Sequence, residues 1–94
     1  MTDAPKAAID RAAVLTLVTN ELAQILETTP DEIEVDVPFA DLGADSLALI
    51  ELVEALEETL SAQVAGFHID DDDLESLTSV TDAVDYVAAK LNLA

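Results

Sequence analysis

Ser46 stands in the string Asp41-Leu42-Gly43-Ala44-Asp45-Ser46-Leu47, and His68 is the single histidine of the chain. A serine in such a place could act as a nucleophile or as a helix cap. A nucleophilic serine needs a base and a strand–turn–helix elbow to present it. The stretch is not G-x-S-x-G, no strand precedes it, and only His68 could serve as base, so a serine hydrolase is a poor fit. On spacing alone Ser46 reads as a helix N-cap. The acidic run Asp70 to Asp73 does not fit a calcium loop. Counting from Asp70, the sixth position is Glu75, where that loop needs glycine. It reads as the solvated start of a helix. His68 has no neighbours in sequence but carboxylates to share a metal, so it reads as structural or exposed, and no metal site is expected.

Composition narrows the field further. The 94 residues hold 21 Asp+Glu and 3 Lys+Arg, for a net charge of -18, with 51% hydrophobic residues and no cysteine. The hydrophobic share supports one small folded domain rather than a disordered chain. Without cysteine there is no disulfide, thiolate metal site or protein thiol. Lys6, Arg11 and Lys90 lie near the ends, so the acidic surface cannot neutralise itself. That excess excludes nucleic acid and anionic membrane surfaces as direct partners and favours basic patches on other proteins. No apolar run approaches the roughly 18 residues of a membrane span, and residues 1–11 lack a signal-like apolar region. A cytoplasmic monomer is expected.

The elements that would position Ser46 are helical. Residues 1–9 read as a loose lead-in, and 10–94 as the domain. A first helix is predicted from about Asp10, its cap, to Glu27, with Val14, Leu15, Val18, Leu22, Ile25 and Leu26 as its apolar stripe. Thr28-Thr29-Pro30 ends it, because the residue before proline is pushed out of the helical region. Residues 30–44 form a long loop anchored by Ile33, Val35, Val37, Phe39 and Leu42. A second helix runs from about Ser46 to Leu60, capped by Asp45 or Ser46. Gly66 marks a turn in the following connection. A short helix spans Asp70 to Leu77. The last helix runs from about Val80 to Leu91, with Ser79 and Asp82 resembling a capping box and Tyr86 at the edge of its buried face. The fold class is all-α: a four-helix bundle of three main helices and one short one, with a long first loop.

The second helix has two faces. Leu49, Leu52, Val53, Leu56 and Leu60 form its core stripe. Glu51, Glu54, Glu57 and Glu58 fall opposite, together with Leu47 and Ile50. Glutamates at these spacings without lysine destabilise a helix by about 0.2–0.5 kcal/mol per pair. An acidic rim around two apolar contacts suits docking of a basic partner better than stability alone.

The string Phe39-Ala40-Asp41-Leu42-Gly43-Ala44-Asp45-Ser46-Leu47 resembles the attachment motif of acyl carrier proteins. The resemblance continues through Glu51-Leu52, Ala55-Leu56-Glu57-Glu58, Ile69, Thr78-Ser79-Val80 and Asp82 to Val87, and covers roughly residues 12 to 91. It implies a helical bundle that carries acyl groups and catalyses nothing itself. The matching serine, Ser46, would receive 4'-phosphopantetheine from coenzyme A through a phosphopantetheinyl transferase and magnesium, and the thiol of that arm would hold cargo as a thioester. Asp45 matches the acid used in docking the transferase. Leu47, Ile50, Glu51, Glu54 and Glu57 fall on the recognition helix, which would meet a ketosynthase, acyltransferase or acyl ligase.

Three departures bear on the pathway. Ala48 stands where many fatty-acid carriers have an acid, and the loop motif is F-x-D-L rather than F-x-x-D-L. Both favour polyketide over fatty-acid synthesis. The connection from Leu60 to Ile69 is about five residues longer than is common. Its Phe67 and His68 read as surface-loop residues, with the shaping of an acyl pocket as the other reading. The rival functions are a peptidyl or aminoacyl carrier, and an unmodified acidic helical adaptor that binds basic proteins by charge.

Overall fold

The computed structural model describes residues 10–62 and 64–92. The predicted lead-in over 1–9 lies outside them. Three α-helices form: α1 (Arg11–Leu26), α2 (Ser46–Ser61) and α3 (Val80–Lys90). The α1 helix packs against both of the others. Their shared core holds Val14, Val18 and Leu22 of α1, Leu52, Leu56 and Leu60 of α2, and Val80, Val84 and Val87 of α3. These positions repeat at three and four residues, so each helix turns one stripe inward.

All three helices begin at a side-chain cap. Asp10 accepts from the backbone N–H of Ala13, Asp45 from that of Ala48, and Ser79 from that of Asp82. The Asp82 carboxylate accepts in return from the N–H of Thr78, one residue before the cap, where a full capping box would reach the cap residue itself. The end of α1 differs from expectation. The helix stops before proline can act, with Glu27 in the left-handed region at φ 59°. Thr28 N–H reaches the Ala23 carbonyl at 2.9 Å and Glu27 N–H the Gln24 carbonyl at 3.2 Å. That Schellman-type pair satisfies the last carbonyls and closes the helix three residues ahead of Pro30.

The long first loop contains 3-10 turns at Pro30–Glu32 and Phe39–Leu42. Ile33 and Phe39 are buried as anchors, while Val35, Val37 and Leu42 are half-buried. The loop is also pinned to the start of α3. Phe39 N–H donates to the Thr78 carbonyl at 2.7 Å, and the Thr81 hydroxyl donates to the Val35 carbonyl at 3.0 Å.

The predicted fourth helix is a six-residue 3-10 helix, Asp71–Ser76. It hangs between two buried anchors, Ile69 and Leu77. A 3-10 helix rises about 2.0 Å per residue against about 1.5 Å for an α-helix, so six residues span about 12 Å rather than about 9 Å. The tighter helix thus reaches farther between fixed ends. Its tie to α3 is polar: the Tyr86 hydroxyl donates to the Asp73 carboxylate. Burial, and then Asp73, push Tyr86 above its ordinary pKa of 10.

Single positions depart from the predicted stripes. In α1 Leu15 is exposed and Ile25 and Leu26 are half-buried, while Ala23 is buried; in α2 Leu49 is only half-buried. Phe67, expected on the surface, is part of the core.

Two predictions follow from these caps and ties. Asp45→Ala is expected to lower stability by about 1 kcal/mol in urea unfolding, and Ser46→Ala by less than about 0.5 kcal/mol. The reverse order would make Ser46 the cap. The Tyr86–Asp73 contact has a raised folded pKa, so its stabilisation is present below about pH 10 and is lost as pH climbs through the folded pKa. Thermal melts of wild type and Tyr86→Phe are therefore expected to differ at pH 8 and to converge at strongly alkaline pH.

Candidate functional site

Everything about the site follows from how α2 starts. Gly43 takes a left-handed φ of 86°, which a side chain would resist, and turns the chain out of the Phe39–Leu42 turn. Ala44 N–H then reaches back to the Phe39 carbonyl at 3.0 Å, and the Ala44 side chain is buried. Asp45 follows in an extended conformation as the cap, its Oδ1 2.9 Å from the Ala48 nitrogen. Ser46 is therefore the first helical residue and not the cap. Its side chain is exposed.

The first bond into the helix is Leu49 N–H to the Asp45 carbonyl, at 3.0 Å. The N–H groups of Ser46 and Leu47 precede it and have no helical carbonyl to meet. With the positive end of the helix dipole, they favour a phosphate on the serine oxygen. An exposed hydroxyl, released from capping and backed by two such donors, fits a phosphodiester-linked group.

One cleft reaches this position, and a second lies farther along α2. The first, of about 220 Å³, is lined by Ser46, Leu49, Ile50, Leu74 and Glu75. The second, of about 320 Å³, is lined by Ile50, Val53, Glu54, Glu57, His68 and Leu74. Half-buried Leu49 thus has a place on the cleft wall rather than in the core.

The outer face of α2 carries Leu47 and Ile50, 62% and 43% exposed, with Glu51, Glu54 and Glu58 exposed around them. Glu57 differs. Its side chain is only 26% exposed, and Oε2 lies 2.9 Å from His68 Nδ1 and 2.7 Å from the Ile69 nitrogen. It holds the loop after α2 onto the helix instead of standing free on the predicted docking face. His68 Nε2 lies 3.5 Å from Asp70 Oδ1. This Glu57–His68–Ile69 clasp had no sequence signal, because its partners lie eleven and twelve residues apart across a turn. Among the described residues, no cluster of His, Asp and Glu is placed to hold a metal ion.

Comparison with known proteins agrees with this geometry. The profile of the family described as "Phosphopantetheine attachment site" matches residues 16–87. The "Acyl carrier protein" of Nitratidesulfovibrio vulgaris (strain DP4) is 44% identical over 66 residues, which cover 69% of this chain and 80% of that protein. The "Acyl carrier protein" of Sulfurovum sp. (strain NBC37-1) is 39% identical over 71 residues, covering 74% of this chain and 88% of that protein. That of Desulforapulum autotrophicum is 48% identical over 50 residues, covering 53% and 58%. With the family profile spanning most of the chain and the helical bundle in place, the chain belongs to the acyl carrier proteins of the phosphopantetheine attachment family.

Proposed function

We propose that Ser46 is the attachment point of 4'-phosphopantetheine and that the chain carries acyl intermediates as thioesters on that arm. The observation that carries this reading is the exposed Ser46 hydroxyl at the first position of α2, released from capping by Asp45. Ser46 Oγ would form the new bond to phosphorus, with 3',5'-adenosine bisphosphate leaving from coenzyme A and the hydroxyl proton passing to the transferase. The arm supplies the thiol that a chain without cysteine lacks. The chain's own residues position it: Asp45 fixes the helix start, and the N–H groups of Ser46 and Leu47 face the phosphate.

The docking face in this reading is Asp45, Leu47, Ile50, Glu51 and Glu54, with Glu57 acting behind it through the clasp. Apolar contacts at Leu47 and Ile50 give the partner a fixed register, and the carboxylates steer its basic patch. The partners are a phosphopantetheinyl transferase and a ketosynthase, acyltransferase or acyl ligase. Ala48 and the shortened Phe39–Leu42 motif support polyketide or related secondary synthesis over fatty-acid synthesis. A cytoplasmic monomer remains our proposal for its state. No described helix is long and apolar enough to cross a membrane.

Intact mass after incubation with coenzyme A, magnesium and a broad-specificity transferase tests the attachment. Wild type is expected to gain one phosphopantetheine and Ser46→Ala none. A folded wild type that gains nothing from a working transferase would leave the charge-driven adaptor as the better reading. For the docking face, Glu54→Lys is expected to raise stability by a few tenths of a kcal/mol, since Glu51 and Glu58 become attractive neighbours. The same variant is expected to lower kcat/KM with the transferase about 3–10-fold, an effect that shrinks as salt screens the wild-type attraction. Unchanged kinetics at low salt would remove Glu54 from the interface.

A further inference from the structure

The two clefts beside α2 share Ile50 and Leu74 as walls, so they adjoin along a groove that leads from Ser46 toward His68. Its two ends differ in chemistry. Beside Ser46 the walls are mostly aliphatic, from Leu49, Ile50 and Leu74. At the far end an apolar floor of Ile50, Val53 and Leu74 meets an imidazole and the carboxylates of Glu54 and Glu57. Taking Ser46 as the attachment point, we infer that His68 and Glu57 form a recognition site for acyl cargo bearing a neutral hydroxyl within the first few carbons beyond the thioester.

Reach is the first support. Eleven residues of helix separate Ser46 from Glu57, a rise of about 16 Å. The arm has a backbone of roughly thirteen bonds, which extends to about 16 Å at the spacing of a peptide chain. Laid along the groove, it brings the first carbons of the cargo to His68. Direction is the second support. Glu57 Oε2 is occupied by His68 Nδ1 and the Ile69 N–H, so the clasp is fixed in place before cargo arrives. The His68 side chain is still 65% exposed, and its Nε2, with only the exposed Asp70 carboxylate at 3.5 Å beside it, can be reached by a ligand.

Charge is the third. Glu54 and Glu57 line the far cleft, Asp70 flanks His68, and no Lys or Arg lines either cleft. A carboxylate on the cargo would meet only like charge there. A plain alkyl chain would cover the imidazole and carboxylates without offering them a hydrogen bond, which is unfavourable for polar groups taken from water. A hydroxyl can donate to a carboxylate or to the imidazole nitrogen that Glu57 does not engage, and its carbon chain still lies on Ile50, Val53 and Leu74. The groove therefore ranks hydroxyacyl above alkyl cargo, and alkyl above carboxyacyl cargo.

The test loads the apo protein from butanoyl-, 3-hydroxybutanoyl- and malonyl-coenzyme A with a broad-specificity transferase. Intact mass reports loading, and the His68 ring signals in NMR and the Tm report the groove. The 3-hydroxybutanoyl form is expected to move the ring signals away from their apo positions. It is also expected to melt about 4 °C above the butanoyl form, the shift of one ordinary hydrogen bond in a domain of this size. Malonyl is expected to leave the ring near its apo position. In His68→Ala and in Glu57→Gln the 4 °C difference is expected to fall below about 1 °C. Failure to gain mass would remove the attachment and this inference with it. Normal loading with ring signals that do not move, or that move equally for butanoyl and 3-hydroxybutanoyl, would overturn this inference alone. So would a Tm difference that persists in both variants.

Discussion

The hydrogen bond from the Ala48 N–H to the Asp45 carboxylate decides where α2 begins, and most of the site depends on that register. A start one residue later would make Ser46 the cap and tie its hydroxyl to the backbone. A rotation of one residue, about 100°, would also carry Leu47 and Ile50 off the outer face and turn a glutamate toward the core. The register is supported from behind. Gly43 supplies the left-handed turn, Ala44 is buried with its N–H on the Phe39 carbonyl, and Phe39 is bonded to Thr78 ahead of α3. A hydroxyl at the surface is thus held by contacts that run through the first loop to the last helix.

The charge distribution works against stability and toward association. Arg11 pairs with Asp85, and Lys90 lies 5.4 Å from the Tyr86 ring, so two of the three basic residues are engaged at the α1–α3 side. Neither stands on α2 or lines the clefts beside it. Glu51, Glu54 and Glu58 consequently face solvent in mutual repulsion, with no cation on their own helix. In the proposed docking, a basic partner would relieve that repulsion on contact, and the unfavourable spacing would become a source of on-rate and orientation. The exposed Leu47 and Ile50 would add direction that charge alone lacks.

The far end of α2 is organised on another basis. Glu57 uses the same oxygen to receive an imidazole and a backbone N–H, and this brings the connection after α2 back along the helix. Phe67 and Ile69 then bury on either side of His68, which is left outward by simple alternation. This connection gives the domain a polar wall beside α2, and Leu74 of the 3-10 helix lines both clefts there. A longer, tighter helix between Ile69 and Leu77 keeps that wall in reach of α2 without filling the groove.

Much of this was legible in the sequence. The three helices, the caps Asp10 and Ser79, most of the core stripes and the two exposed apolar residues of α2 follow from spacings of three and four and from side chains that cap within three residues. The motif around Ser46 was legible for the same reason, since Gly43, Asp45, Ser46 and Leu47 fall within five residues. What the sequence did not decide depended on partners far apart along the chain. Leu15 sits on the apolar stripe of α1 yet stays partly exposed, because the first loop and α3 leave a cleft there, lined also by Val35, Thr81 and Val84. Glu57 looks identical to Glu54 in sequence, and only the return of the chain at Ile69 makes it a clasp. The choice between Asp45 and Ser46 as cap turned on where the buried Ala44 and Phe39 fixed the backbone. The sequence by itself determined which faces exist, because helical periodicity is local; only the tertiary structure decided which of them are covered, because covering requires a second segment to arrive.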